Sequence, residues 1–303
     1  MNYLRPMDWQ LLTNKVKAGE TAAIARAISL VENNLPGFHN LLESLELPQV
    51  PVVGITGPPG AGKSSIVNEL AGFWLKNNLK VAVIAVDPSS PFNFGALLGD
   101  RLRMAGHFTN LNLFIRSLSS RGSLGGLSSG ILEIIDIFKH AGFDRIIVET
   151  VGVGQSEVEI AGVADTTVVV MVPESGDELQ TLKSGVMEIA DVFVVNKSDR
   201  EGAARFAGHL RERARENRTH EAQVIETVAT KGKGIDTLSN AISGHHQSMS
   251  NSSRRFVLLA EKLGRIIAKR RMADYDAEKH AQILQQIANK PGFNLYVYAN
   301  QFS

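Results

Sequence analysis

The sequence predicts an α/β protein with a doubly wound, mostly parallel β-sheet and helices on both of its faces. Between residues 50 and 244, short runs rich in Val and Ile alternate with helical stretches. Runs that are apolar at consecutive positions are typical of strands buried on both faces of a parallel sheet. A glycine-rich loop directly follows the first run and opens a helix. This order of strand, loop and helix is the context of a phosphate-binding loop.

The composition excludes several functional classes. The chain has 303 residues, with 32 Lys and Arg against 31 Asp and Glu, and no cysteine. The charge balance argues against a nucleic-acid partner. The lack of cysteine excludes a disulfide scaffold, a cysteine-based zinc site, an iron–sulfur cluster and a cysteine nucleophile. Because the sequence has no signal pattern and no run of about 18 apolar residues, we expect a cytoplasmic protein with no membrane association.

Residues 1–48 are predicted to form an N-terminal helical segment. Within Glu20–Val31, apolar residues recur at positions i, i+3, i+4 and i+7, which is the spacing of one face of an amphipathic helix. Pro36-Gly37 breaks this helix before the first strand run begins.

Residues 49–244 are predicted to form the sheet domain and residues 245–303 a C-terminal helical arm. The strand runs, in order, are VPVVGIT, KVAVIAVD, NLFIRS, RIIVET, TTVVVMVP, VFVVNKSD and AQVIETVA. The arm begins with HHQSMSNSS, which we interpret as a linker with two solvated histidines rather than a metal-binding pair. A basic helix over Arg254–Met272, a mixed helix over Ala273–Asn289 and an aromatic tail are expected to follow.

The glycine-rich loop carries a complete phosphate-binding motif. It reads Gly57-Pro58-Pro59-Gly60-Ala61-Gly62-Lys63-Ser64, and Ser65 continues into the helix. In such a loop, backbone N–H groups and the helix N-terminus hold phosphate oxygens. We expect Lys63 to reach the β- and γ-phosphates and to stabilise charge during catalysis, and the Ser64 hydroxyl to bind Mg²⁺. The motif indicates a nucleoside triphosphate but does not name its base.

A second motif predicts guanine as that base. The tetrad N-K-S-D follows an apolar run, and its last residue, Asp199, can accept hydrogen bonds from guanine N1–H and N2–H₂, which adenine does not offer. We expect Asn196 to brace the phosphate loop and the Lys197 stem to lie across the base. A backbone N–H of Ala229 or of its neighbour Thr230 is predicted to reach guanine O6.

Carboxylates after two other strand runs predict the magnesium and hydrolysis side. Glu149 stands where D-x-x-G of an ordinary GTPase has Asp, and Gly152 is expected to bring an N–H to the γ-phosphate. Gln155 is predicted to orient the attacking water. Asp87, which ends a strand expected to neighbour that of the phosphate loop, is predicted to bind the metal and to accept the proton. Asp100 is a further metal candidate; helix capping is the alternative for these carboxylates.

Six stretches together resemble one known family. They read VAVIAVDPSSP, LLGDRLRM, FIRSLSSRGSLGGLS, ETVGVGQSE, VPESGDELQTLKSG and VVNKSDREGA. They look like the cobalamin-linked GTPases of MeaB/ArgK type, which are G-protein chaperones associated with methylmalonyl-CoA mutase. The resemblance covers roughly residues 5–275. It departs from the family at Asn93-Phe94-Gly95, where many relatives read T-G-G in switch I, and after about Tyr275.

The resemblance implies a P-loop GTPase domain with an N-terminal helical segment and a C-terminal helical dimerisation arm. It implies slow, Mg²⁺-dependent hydrolysis of GTP to GDP by a homodimer that gates cofactor loading and reactivation in an adenosylcobalamin-dependent acyl-CoA mutase. It places Asp87, Asp100 and Glu149 in the magnesium site. It also implies an extra element that responds to the mutase, switch III, which contains Asp177, Glu178, Gln180 and Lys183. From chemistry alone, the same segment fits a solvated helix start equally well.

Other functions remain open from the residues themselves. A nickel-delivering GTPase shares the nucleotide chemistry, although it normally needs a Cys or His cluster that this sequence lacks. A kinase that acts on a transport component and a scaffold with a structural nucleotide are also compatible with the motifs. We interpret Arg116 and Arg121 as solvated loop residues, and the basic residues from Arg265 to Arg271 as paired within the protein.

Overall fold

A computed structural model of the chain describes residues 7–87, 109–119, 130–150, 159–175, 184–216, 222–249, 253–272, 275–287 and 293–302. Contacts divide the chain into two units, Met1–Leu258 and Leu259–Ser303. The domain boundaries expected after residues 48 and 244 stay predictions. The first unit contains the sheet.

Seven strands in the described residues form one parallel sheet. They are Val52–Thr56 (β1), Val81–Asp87 (β2), Leu113–Ser119 (β3), Arg145–Thr150 (β4), Thr166–Met171 (β5), Val192–Val195 (β6) and Gln223–Glu226 (β7). Their order across the sheet is β3-β2-β4-β1-β5-β6-β7, and each neighbouring pair is parallel. All seven apolar runs are strands, and the predicted fold class is confirmed.

Helices connect the strands and cover the sheet. Across both units, the helices of the described residues are Trp9–Lys17 (α1), Thr21–Glu32 (α2), Phe38–Glu43 (α3), Lys63–Lys76 (α4), Ile131–His140 (α5), Ser184–Ile189 (α6), Ala203–Glu216 (α7), Ile235–Met249 (α8), Ser253–Arg271 (α9), Ala277–Ile287 (α10) and Leu295–Ala299 (α11). Short 3₁₀ turns lie at Ile160–Gly162, Pro173–Ser175, Ala229–Lys231 and Asn300–Phe302. Within this part of the chain, no helix is both long enough and apolar enough to cross a membrane.

Alternate residues of each strand pack on opposite faces of the sheet. On one face, Ala82, Ile84 and Val86 of β2 join a buried cluster with α1, α2, α3 and α5. On the other face, Val81 and Val83 join a cluster with α4 and α8. This arrangement explains why the inner strand runs are apolar at consecutive positions, because β1, β2, β4, β5 and β6 are buried on both faces.

The N-terminal helical segment packs directly on the sheet. Ile24, Ala27, Ile28 and Val31 of α2 are all buried, as the helical spacing predicts. They share one cluster with the strand residues of the same face. The helices before β1 therefore supply part of the core of the sheet unit.

The interpretation of residues 245–249 as part of a linker is wrong, because α8 continues to Met249. Residues 250–252 of the expected linker lie outside the described part of the chain. His245 Nδ1 lies 2.8 Å from the Thr166 hydroxyl oxygen, and Nε2 lies 3.4 Å from Asp191 Oδ1. The side chain of His245 is largely buried, rather than solvated. These contacts fix the last turns of α8 at the start of β5.

The interpretation of Arg116 as a solvated loop residue is also wrong. Arg116 lies within β3, and its guanidinium forms a partly buried ion pair with Glu32 of α2. The pair joins an edge strand of the sheet to the N-terminal helices. Arg121 lies outside the described residues.

Candidate functional site

The predicted nucleotide-binding residues lie at one edge of the sheet. The phosphate loop follows β1, Glu149 lies near the end of β4, Asn196 follows β6, and Ala229 comes shortly after β7. Because the strands are parallel, their carboxyl ends share an edge, which is where α/β folds of this kind bind ligands. The topology thus brings together residues that are as many as 170 positions apart in the chain, from Gly60 to Thr230.

Glycine is required where the phosphate loop passes β5. Gly57 has a φ of +137°, and a Cβ atom there would lie 2.1 Å from the Val170 carbonyl oxygen. No L side chain fits that approach, because the obstructing atom belongs to the backbone of a buried strand. The loop is therefore held close against the sheet.

Lys63 begins α4 and is buried. Its Nζ donates hydrogen bonds to the carbonyl oxygens of Gly57 at 2.7 Å and Pro58 at 3.0 Å. These bonds hold the ammonium group inside the curve of the loop, at a helix N-terminus that itself favours anions. Its predicted contact with the β- and γ-phosphates stays a prediction.

Asn196 joins three segments of the site through one buried side chain. Its Nδ2 donates to the Ala61 carbonyl oxygen at 3.0 Å. Its Oδ1 accepts from the Thr227 hydroxyl and from the Ala229 N–H, each at 3.2 Å. A Cβ atom at Gly62 would lie 2.4 Å from Asn196 Nδ2, so the small residue leaves room for this contact. Asn196 braces the phosphate loop, as the motif predicts.

Lys197 forms a second link between the base-reading tetrad and the phosphate loop. Its backbone is left-handed, with a φ of +55°, which is uncommon for a residue other than glycine. Its Nζ donates to the Gly60 carbonyl oxygen at 2.9 Å. The aliphatic stem therefore runs from the tetrad toward the phosphate loop.

Of the two backbone amides predicted for guanine O6, that of Ala229 already donates within the protein. Its acceptor is Asn196 Oδ1, at 3.2 Å. Ala229 opens the 3₁₀ turn that also contains Thr230. The amide of Thr230 thus becomes the stronger candidate for O6, and the assignment stays a prediction.

Asp199, the predicted guanine reader, forms an ion pair with Lys231. Lys231 Nζ lies 3.0 Å from Asp199 Oδ2. The hydrogen bond from Lys231 lowers the pKa of Asp199 below its ordinary value, and the charges of Lys231 and Arg200 act in the same direction. Sequence reasoning missed Lys231, since nothing in its surroundings in the chain indicates a partner 32 residues away.

A second ion pair, which sequence reasoning also missed, joins neighbouring loops of this edge. Arg200 directly follows the tetrad, and its guanidinium pairs with Glu174 in the turn after β5. The hydrogen bond from Arg200 lowers the pKa of Glu174. Both side chains are half exposed to solvent.

Ser64 and Glu149 meet at the mouth of the phosphate loop. Ser64 Oγ donates to Glu149 Oε1 at 2.7 Å, and Glu149 is buried. The described residues contain no group of three or more His, Asp or Glu side chains that could hold a metal ion. Mg²⁺ at phosphate sites typically takes one or two carboxylates and completes its shell with phosphate and water oxygens. A hydroxyl beside a carboxylate is a donor set that fits this ion.

Asp87 ends β2, but β2 does not neighbour β1. The sheet order places β4 between them, so the expected adjacency to the phosphate-loop strand is wrong. The neighbour of β2 on that side is β4, and Ala85 lies in register with Glu149. The strand order could not be derived from sequence because parallel crossovers can return a strand to either side of an existing one.

The remaining predicted site residues lie outside the described part of the chain. They are Asp100, Gly152, Gln155, Asp177, Glu178, Gln180 and Lys183, together with the switch I departure at Asn93-Phe94-Gly95. Their roles stay predictions.

Comparison with known proteins decides the family. The family model described as methylmalonyl Co-A mutase-associated GTPase MeaB matches residues 24–280. The chain belongs to the MeaB family. A putative GTPase of Pyrococcus horikoshii is 45% identical to this MeaB-family chain over 267 residues, which cover 86% of the chain and 82% of the relative. GTPase ArgK of Escherichia coli is 38% identical over 253 residues, which cover 79% and 76% of the two chains.

A solved structure described as LAO/AO transport system kinase has the same fold. It superposes with a TM-score of 0.68 and 24% sequence identity, covering 99% of the MeaB-family chain and 98% of the other. This match supports the P-loop architecture and says nothing by itself of substrate. Together with the family match, the fold makes the chain a GTP hydrolase.

Proposed function

We propose that this chain is a Mg²⁺-dependent GTPase that acts as a chaperone for an adenosylcobalamin-dependent acyl-CoA mutase, with methylmalonyl-CoA mutase as the first candidate. In this proposal the nucleotide state gates loading of the mutase cofactor and its reactivation. The family description names the mutase and so supports the class of partner. Dimerisation through the C-terminal arm is part of the same proposal.

The observation that carries the nucleotide part is the Asn196 bridge. A single buried amide holds the phosphate loop on one side and the loop after β7 on the other. A ligand with phosphates at one end and a purine at the other spans these two segments. The bridge therefore supports a guanine nucleotide as the ligand of this edge.

In the proposed complex, residues of the phosphate loop bind the phosphates through backbone N–H groups. Lys63 is close enough to the loop to exchange its carbonyl partners for phosphate oxygens, which are stronger acceptors because they carry charge. Asp199 accepts from the guanine edge, and the Thr230 amide donates to O6. The Lys197 stem covers the base.

Ser64 and Glu149, with Asp87 and Asp100, would hold Mg²⁺. When bound, the ion neutralises charge on the β- and γ-phosphate oxygens. The direct hydrogen bond between Ser64 and Glu149 supports this assignment, since it shows that the two oxygens share one small space. Hydrolysis then depends mainly on position and charge.

The other groups proposed to assist hydrolysis follow β4 or end β2. We propose that the Gly152 N–H donates to the γ-phosphate and that Gln155 orients the attacking water. Asp87 accepts the proton of that water. Lys63 stabilises the negative charge that develops on the transferred group.

Coupling to the mutase is proposed to run through switch III. This segment lies in the chain between the Pro173–Ser175 turn and α6. Acidic residues and Lys183 in it can exchange ion pairs when the γ-phosphate leaves or when the partner binds. The Glu174–Arg200 pair supports the proposal, because it joins the turn before this segment to the residue that follows the base-reading tetrad.

The test is GTP turnover by the full chain, alone and with purified adenosylcobalamin-dependent acyl-CoA mutases. We expect methylmalonyl-CoA mutase to raise turnover, and Lys183→Ala to lose that rise. Lys76→Ala, an exposed lysine at the far end of α4, serves as the matched control that keeps the rise. Unchanged turnover with every such mutase, while GTP is still hydrolysed, would reject the chaperone role and leave the GTPase intact.

A further inference from the structure

Lys231 is the one basic side chain in the described residues that forms an ion pair with the Asp199 carboxylate. Its Nζ lies 3.0 Å from Oδ2, and the two side chains remain partly exposed, Lys231 by 67% and Asp199 by 44%. The contact joins the base-reading tetrad to the turn after β7. Nothing in the nucleotide motifs themselves requires a lysine there.

The turn that contains Lys231 has a restricted backbone conformation. The Lys231 N–H donates to the Val228 carbonyl oxygen at 2.9 Å. Gly232 follows in a left-handed conformation, with a φ of +64°. A Cβ atom at Gly234 would lie 2.3 Å from the Glu226 carbonyl oxygen, so the return of the chain is also restricted. The base of the Lys231 side chain is thereby fixed relative to β7.

The ion pair and base recognition can exist together. An ionised carboxylate has about four lone-pair positions on its two oxygens. Guanine N1–H and N2–H₂ use two of them, and the Lys231 ammonium uses another. A lysine that occupies one position restricts the rotation of the carboxylate and favours its ionised, acceptor-only form.

We propose that Lys231 is a positioning residue for guanine recognition, which holds the Asp199 carboxylate in place for the base. The inference rests on the proposed role of Asp199 as guanine reader. It goes beyond that role by assigning part of the selectivity to a residue outside the tetrad. Lys231 acts through Asp199 and does not itself contact the nucleotide.

The chain offers a matched control in Lys233. This lysine is exposed and lies in the same turn region, where its backbone pairs with that of Val228. Lys231→Gln and Lys233→Gln remove the same charge from nearly the same place. Only the first removes the contact with Asp199.

The experiment is titration of the full-length variants with GDP and ADP at fixed salt. We expect Lys231→Gln to weaken GDP binding by about two- to fivefold, the range for an exposed ion pair. Lys231→Arg should restore most of the loss, and Lys233→Gln should match the wild type. ADP binding should be the same in all of these proteins.

A double-mutant cycle with Asp199→Asn distinguishes a positioning role of Lys231 from a general electrostatic attraction between Lys231 and the phosphates. If Lys231 acts through the carboxylate, Lys231→Gln has no further effect on GDP binding in the Asp199→Asn background. The loss of GDP affinity that occurs as pH falls should also begin at a higher pH in Lys231→Gln than in the wild type. The sign follows because Lys231, with Arg200, keeps the pKa of Asp199 low, so the wild type stays ionised further into acid.

The outcomes distinguish the two proposals. Equal GDP affinity in wild type, Lys231→Gln and Lys233→Gln would overturn the positioning role, as would a Lys231→Gln effect that persists in the Asp199→Asn background. If Asp199→Asn leaves the preference for GDP over ADP unchanged, the proposed guanine reader itself is wrong. Thermal unfolding of each variant identifies any loss that comes from misfolding.

Discussion

The amino and carboxyl edges of the same parallel sheet carry polar networks of opposite kind. At the amino edge, aspartates accept hydrogen bonds from backbone N–H groups at the starts of strands. Asp165 Oδ2 accepts from Val52 at 2.9 Å, and Asp191 Oδ2 accepts from Thr167 at 2.8 Å. His245 closes the network beside Asp191. Negative charge here is satisfied within the protein.

At the carboxyl edge, three side chains donate to the backbone instead. Lys63, Asn196 and Lys197 all give hydrogen bonds to carbonyl oxygens of the phosphate loop. Two of these donors are positively charged, and the loop they hold leads into a helix N-terminus, so the phosphate loop favours an anion. The comparison teaches that the polar groups of the amino edge satisfy one another within the fold, whereas those of the carboxyl edge surround the proposed ligand site.

Lys63→Ala, at the carboxyl edge, should give the largest effect, which is a loss of GTP turnover with little change in stability. We expect GTP turnover to fall by about 100- to 1,000-fold, as when one preorganised charge-stabilising donor is removed. The free energy of unfolding should change by about 1 kcal/mol or less, because the loss of the hydrogen bonds to Gly57 and Pro58 is offset by the removal of a buried cation from a helix N-terminus. Single-turnover hydrolysis and urea unfolding measure the two quantities. A similar loss of GTP turnover in Lys76→Ala, at the other end of α4, would contradict the difference between the two edges.

Asp191→Ala, at the amino edge, should give the reverse result, which is a loss of stability without a loss of nucleotide binding. The Asp191 side chain is fully buried, so its removal leaves the Thr167 N–H without its acceptor. We expect the free energy of unfolding to fall by about 1–3 kcal/mol, with GDP affinity unchanged in the folded protein.

The matched control for that variant is Asp144→Ala. Asp144 Oδ2 accepts from the Lys80 N–H at 2.7 Å, but this contact is exposed. Water can replace the lost acceptor, so the loss of stability should be smaller. Weaker GDP binding by either variant would show that the amino edge also serves the ligand.

Glu174→Gln should give the smallest effect, a slight loss of stability near neutral pH that disappears in acid. Arg200 lowers the pKa of Glu174 below its ordinary value of 4.5 in the folded protein. The unfolded chain therefore takes up the proton first as pH falls, and the stabilisation is present above that value and is lost as pH falls through the lower, folded pKa. Urea unfolding should show a steeper loss of stability in acid for the wild type than for the variant. Parallel curves would mean that the pair contributes nothing.

Much of this architecture could be predicted from local sequence. The five inner strands are buried on both faces, so their apolar pattern was sufficient to find them. The phosphate loop and the tetrad were recognisable because their spacing is short and each lies directly after a strand. The brace made by Asn196 followed from the motif.

Contacts between distant segments could not be predicted in the same way. The position of β4 between β1 and β2 depends on the path of the crossovers, which leaves no local pattern. The continuation of α8 through a polar, serine-rich stretch depends on partners such as Asp191. Lys231 and Arg200 resemble ordinary surface residues until the fold brings their acidic partners to them.

The most direct test of the Asn196 bridge is GDP titration of Asn196→Ala beside Asp191→Ala, with urea unfolding of both. Asn196 is buried and joins the two halves of the proposed nucleotide site. We expect both variants to lose stability, by about 1–3 kcal/mol each, and only Asn196→Ala to lose GDP affinity. Wild-type GDP affinity in Asn196→Ala would contradict the claim that this edge binds the nucleotide through the Asn196 bridge.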